Sequence, residues 1–165
     1  MHPMDEFTIK NQLEHWLINF VEQPNSLLNN WSPCPYARQA RISNKILTVF
    51  DSPLEITKYT EHLKKYDVVI LCFDHVQFSA NQIELFTKHV NSILMWQDYV
   101  VLEDHPDSEE LVNQVKMNFG KCGLLIMQRL SKLNTAANQL REKGYYTAWS
   151  KENLDEVVNW RYDLC

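Results

Sequence analysis

One stretch constrains the fold more than any other: Asp67-Val68-Val69-Ile70-Leu71-Cys72-Phe73, in which no polar side chain interrupts the run from Val68 to Phe73. A strand with one wet face alternates apolar and polar residues. An unbroken run of strand length therefore calls for a strand buried on both faces and hydrogen-bonded on both sides. Such a strand lies at the centre of a sheet, and other elements must supply its cover.

The flanking sequence supplies strands and helices in alternation. Lys45 to Phe50 reads as a strand, Ser52-Pro53 opens a helix to about Lys65, and Ser79 caps a helix to about Trp96. Tyr99 to Glu103 is the next strand, Ser108 caps a helix over Glu109 to Phe119, and Gly123 to Gln128 is a further strand. Ser131 to Lys143 is helical and closes on Gly144, Tyr145 to Trp149 reads as a short edge strand, and Ser150 begins a last helix to about Tyr162. Upstream, Phe7, Ile9, Leu13, Trp16, Leu17, Phe20 and Val21 recur mostly at spacings of three and four, the pattern of an amphipathic helix that Pro24-Asn25 stops. After a polar loop, Pro35 is placed at the first position of a short helix, where a missing amide proton costs nothing. The predicted fold class is α/β: a single domain over residues 1–165, with a layered sheet of at least four strands and helices on one or both faces. Both a doubly wound parallel sheet and a two-layer, ferredoxin-like α+β sheet accommodate these elements.

Composition removes several function classes. The net charge of −5 argues against nucleic acid as a partner, since the short basic groupings at Arg38/Arg41 and Arg129/Lys132 are each a pair and not a stripe. Three glycines cannot build a dinucleotide fingerprint or a phosphate loop. The cysteines Cys34, Cys72, Cys122 and Cys165 include no Cys-x-x-Cys, so neither a zinc knuckle nor a thioredoxin-like pair is readable and free thiols are expected. Met1-His2-Pro3-Met4-Asp5-Glu6 is polar and acidic where a signal peptide would be basic and then apolar, and no apolar run approaches the ~18 residues of a membrane span. The expected setting is soluble and cytoplasmic, without a membrane partner.

Chemistry-bearing residues gather in two places. The strand ends Phe73-Asp74-His75 and Glu103-Asp104-His105 echo one another. If the two strands run parallel, both Asp-His pairs emerge at the sheet edge where open α/β sheets bind ligands. Imidazole and carboxylate suit a divalent metal such as zinc or iron, and general acid–base work near neutral pH. Equally, Asp and His are ordinary strand terminators, with Asp74 and Asp104 making local turn bonds. The second place is Ser32-Pro33-Cys34-Pro35. A thiol at a helix N-terminus, with Arg38 one turn on, is drawn toward the thiolate; the other reading is a small buried hydrophobe beside Trp31 and Tyr36. Candidate catalytic residues are thus Cys34, His75 and His105, and candidate ligand-binding residues are Arg38, Asp74, Asp104 and Asp107; no cofactor and no particular metal is readable. His15, His62 and His89 read as solvated, Glu109-Glu110 as a first helical turn, and Arg129 as either an anion contact or a surface salt bridge.

The order Trp31-Ser32-Pro33-Cys34-Pro35-Tyr36-Ala37, a strand ending in His75, and then His105-Pro106-Asp107 resembles a bacterial domain family of unknown function whose members carry Cys-Pro-Phe-Ala early and Phe-His-Pro later. The family's later Ser-Pro-x-Pro stretch has no counterpart here. What the resemblance implies is that Cys34, His75 and His105 belong to one site. Two functions follow. One is a domain taking a small polar ligand or divalent metal at a Cys/Asp-His site, with metal-assisted or thiolate chemistry. The other is a non-enzymatic protein-interaction module that uses aromatic residues and an acidic surface. Convergence of Cys34, His75 and His105 in one cleft separates the two.

Overall fold

The computed structural model describes residues 5–162. Asp5 caps α1 (Glu6–Trp16) by accepting from the Thr8 amide, and the helix runs on into a π-helical turn, Leu17–Val21. After the polar loop come α2 (Ala37–Ile42), β1 (Ile46–Phe50), a 3-10 helix (Pro53–Lys64) and β2 (Val68–Phe73). Ser79 and Gln82 form a reciprocal capping box that starts α3 (Ala80–Leu94), and a 3-10 turn, Met95–Gln97, leads into β3 (Tyr99–Asp104). A small hairpin, β4 (Leu111–Val112) and β5 (Val115–Lys116), precedes β6 (Gly123–Arg129). The described residues close with α4 (Leu130–Glu142), a 3-10 turn (Tyr145–Ala148), α5 (Lys151–Val157) and a 3-10 turn (Asn159–Tyr162).

The sheet is mixed, in the order β1-β2-β6-β3. β2 pairs with β1 in parallel and with β6 antiparallel, and β6 pairs antiparallel with β3. The apolar run is therefore bonded on both sides, as its composition requires, and its side chains divide between two cores. Val69, Leu71 and Phe73 join Ile56, Leu63, Ile83, Val90 and Leu94 beneath the 3-10 helix and α3. Ile70 and Cys72 join Ile9, Leu13 and Phe119 beneath α1. Helices thus cover both faces of an α/β sheet. Phe73 lies opposite Gly123, where a Cβ would collide with its ring, so glycine is what lets the ring cross the neighbouring strand. Along the outer edge of the sheet, the buried carboxamide of Asn91 accepts from the Val101 amide at 2.9 Å and donates to the Val101 carbonyl at 2.9 Å. The side chain thereby does what a further strand would do. Among the described residues no helix is long and apolar enough to cross a membrane.

Local structure departs from expectation at four places. Glu109 to Phe119 is not a helix: Val112 and Val115 are buried against Leu28, and Asn113 and Gln114 between them take left-handed φ of 46° and 71°, as a tight hairpin turn requires. Tyr145 to Trp149 is a 3-10 turn opened by left-handed Gly144, its rings packed edge to face on one another in place of pairing in a sheet. The segment after Ser52 winds as 3-10 rather than α, and the helix expected from Pro35 begins at Ala37. Cys165 lies outside the described residues.

Candidate functional site

Because β2 and β3 both run antiparallel to β6, they are parallel to each other, and their ends leave the sheet on the same side. The His75 and His105 rings come to 5.9 Å between centroids, almost perpendicular at 86°. His75 is half-buried at the surface, whereas His105 is 2% exposed and lies against Phe73.

The chemistry of His105 follows from its two bonds. Its Nδ1 accepts from the Asp107 amide at 3.0 Å, so in the neutral ring the proton sits on Nε2, which donates to the Phe78 carbonyl at 2.6 Å. One nitrogen ties the loop after β3 and the other the loop before α3. Neither retains a lone pair for a metal or a substrate proton.

Asp104 is consumed in the same way. Its carboxylate accepts from the Asn118 side-chain amide at 2.8 Å and from the Phe119 amide at 2.9 Å. Burial nevertheless pushes its carboxyl above the usual range, against those two bonds. Asn118, itself buried, gives its second amide proton to the Ser108 carbonyl at 2.8 Å, with the His105 carbonyl at 3.2 Å sharing one of the two protons, and accepts from the Glu110 amide at 2.7 Å. Asp104 and Asn118 thus form a clasp that holds the 105–119 excursion shut. Asp74 accepts from the Val76 amide at 3.0 Å and the Gln77 side chain at 3.4 Å, closing the turn between β2 and α3. Asp107 contributes its amide to His105, and its exposed carboxylate has no ion pair among the described residues.

Cys34 belongs to another neighbourhood. Its amide donates to the Val21 carbonyl at 3.1 Å, and the Tyr145 hydroxyl donates to the adjacent Pro33 carbonyl. Although the residue as a whole is exposed, burial around its sulfur pushes the thiol up, outweighing the Tyr36 and Ala37 amides, and Glu22 adds to the rise. The thiolate expected at a helix N-terminus is thus disfavoured, since the helix starts three residues later and runs only from Ala37 to Ile42. Arg38 is exposed and makes no ion pair among the described residues. No hydrogen bond or ring contact among the described residues joins Cys34 to either histidine. None of the described His, Cys, Asp and Glu side chains form a group of three or more placed to hold a metal ion.

Two features went unread in the sequence. Glu110 is half-buried, and desolvation, then the negative charges of Asp104, Glu103 and Glu156, push its carboxyl up to about 7. A helical reading of Glu109 to Phe119 hid this cluster. The second is the outer face of α3. Leu85 and Ile93, with Trp96 on the turn that follows, are 60, 50 and 70% exposed. Their offsets of eight and eleven residues from Leu85 place them on one helical face, with exposed His89 between, opposite the buried Ile83, Val90 and Leu94. The legible signal was an excess: this segment carries more large apolar residues than one buried face needs. No protein-family model matches the chain, and no curated protein or solved structure matches it either.

Proposed function

We propose that this chain is a non-enzymatic interaction module that engages a protein partner through the solvent face of α3. The observation that carries this reading is the aligned exposure of Leu85, Ile93 and Trp96. Isolated apolar residues on a surface need no explanation, but three large ones along one helical face, flanked by the Glu84–Lys88 ion pair at 3.2 Å, have the composition of a helix–groove contact with a polar rim. Tryptophan is among the residues that most often dominate such contacts. The test is a photo-reactive phenylalanine analogue placed at His89 and irradiated in the native cells. One dominant protein adduct that Trp96→Asp abolishes is expected; no adduct, or one indifferent to Trp96→Asp, contradicts the reading.

A second reading keeps the strand-end histidines as a site for a small polar ligand or divalent metal, and the 5.9 Å approach of His75 to His105 favours it. The resemblance of the Trp31–Ala37 and His105–Asp107 segments to the bacterial family groups the same residues. This reading requires His105 to give up one of its two hydrogen bonds. Elemental analysis of the purified protein decides it: near one equivalent of bound metal would place it ahead of the interaction module.

A further inference from the structure

We infer that a trough along the outer flank of α1 binds a small planar aromatic ligand that carries an anionic group. The trough is open to solvent along its length and offers about 410 Å³, within the roughly 300–1,000 Å³ typical of small-molecule sites. Its floor is aromatic. Trp16 stacks on Phe20 at 6.1 Å with 21° between ring planes and leans on buried Phe119 at 5.3 Å and 52°. Trp16 and Phe20 are only half-buried, so they leave ring surface on which a flat ligand can stack.

The backbone here is not an ordinary helix. In the π-helical turn Leu17–Val21 the Glu22 amide bonds the carbonyl five residues back, Leu17, at 2.9 Å, and the Gln23 side chain takes the Ile18 carbonyl at 2.7 Å. Such turns are rare and collect at functional positions. This one places Phe20 and Asn19 beside Trp16 along the trough.

The rim determines the sign of the ligand's charge. Although the chain carries a net charge of −5, no Asp or Glu lines the trough, and Lys121, which does line it, makes no ion pair among the described residues. His15 also lines the trough. The Asn19 side-chain amide donates to the His15 carbonyl at 2.9 Å and meets Nδ1 at 3.1 Å, which in the neutral ring leaves the proton on Nε2. Asn11 contributes a carboxamide to the same rim. An aromatic body over Trp16 with a carboxylate or similar anion toward Lys121 satisfies the floor and the rim together.

The experiment is an amide and side-chain NMR titration of the full chain with 2-naphthoate, repeated with neutral 2-naphthamide. Saturable shifts confined to the Trp16 indole, Asn11, Asn19 and the Phe119 region are expected. Lys121→Glu should weaken 2-naphthoate about tenfold or more, and 2-naphthamide should bind the native chain about as weakly as 2-naphthoate binds the variant. Both Lys121 and His15 are exposed, so Lys121→Glu and His15→Ala keep the fold and the comparison stays interpretable. Absence of saturable shifts, shifts spread over the sheet, or equal affinity before and after Lys121→Glu would overturn the inference.

Discussion

The end of β3 and the outer face of α3 lie on consecutive elements and use their side chains in opposite ways. At the strand end, Asp104, His105 and Asn118 are buried and polar, and their groups are spent on one another and on the backbone. On α3, Leu85, Ile93 and Trp96 are apolar and meet water. Residue types that suggest chemistry are thus absorbed by the fold, and types that suggest a core are left in solvent. Reactivity depends on what remains unsatisfied after folding, not on the functional groups a chain contains.

The largest effect that can break this comparison is loss of the clasp. Asn118→Ala removes the partner of a buried carboxylate together with the bonds to the His105 and Ser108 carbonyls and the Glu110 amide, and should cost about 3 kcal/mol in urea denaturation. His105→Ala, which strands the Phe78 carbonyl and the Asp107 amide, should cost roughly 2–3 kcal/mol, while His75→Ala should stay within about 0.5 kcal/mol. Equal costs for the two histidines would mean that the strand end is not organised around His105.

Next in size is the pH dependence that Glu110 imposes. Its folded value of about 7 lies above the ordinary 4.5, so the folded state holds the proton more tightly. Its stabilising contribution is complete below about pH 4.5 and is lost as the pH rises through about 7. The span is at most about 3 kcal/mol and smaller with partial exposure. Denaturation curves from pH 4 to 8 should show this decline, and Glu110→Gln should flatten it. A slope unchanged in the variant would assign the effect to other groups, of which Asp104 and Glu103 are raised in the same direction.

How much of this was legible differs between the same two regions. The run Val68–Phe73 fixed a central strand because burial on both faces leaves no other use for six consecutive apolar residues. The parallel relation of β2 and β3, and with it the approach of His75 to His105, is legible only as a condition, because it depends on β6 inserting between them from much later in the chain. The bonds that neutralise His105 come from Phe78, 27 residues away, and from a loop amide, and no local pattern encodes them. The hairpin is illegible because its turn residues are Asn113-Gln114 without glycine, and because Ser108 and the acidic Glu109-Glu110 imitate a helix start. The stripe on α3 was visible as periodicity, but which of two apolar faces stays wet is decided by packing.

The smallest expected effect sharpens the contrast from the other side. Leu85→Asp and Trp96→Asp should change stability by no more than about 0.5 kcal/mol, since neither side chain is covered. A loss of 2 kcal/mol or more in thermal denaturation would show that the face supports the fold, and it would withdraw α3 as a docking surface.

Central to all of this is the state of the His105 ring. Long-range proton–nitrogen correlation of ¹⁵N-labelled protein at pH 8 reads it directly. The expected spectrum shows the proton on Nε2 and an unprotonated, accepting Nδ1, as the bonds to Phe78 and Asp107 dictate, and one equivalent of zinc leaves both resonances in place. The opposite tautomer, or a His105 nitrogen shifted by zinc, would contradict the structural role assigned to this residue.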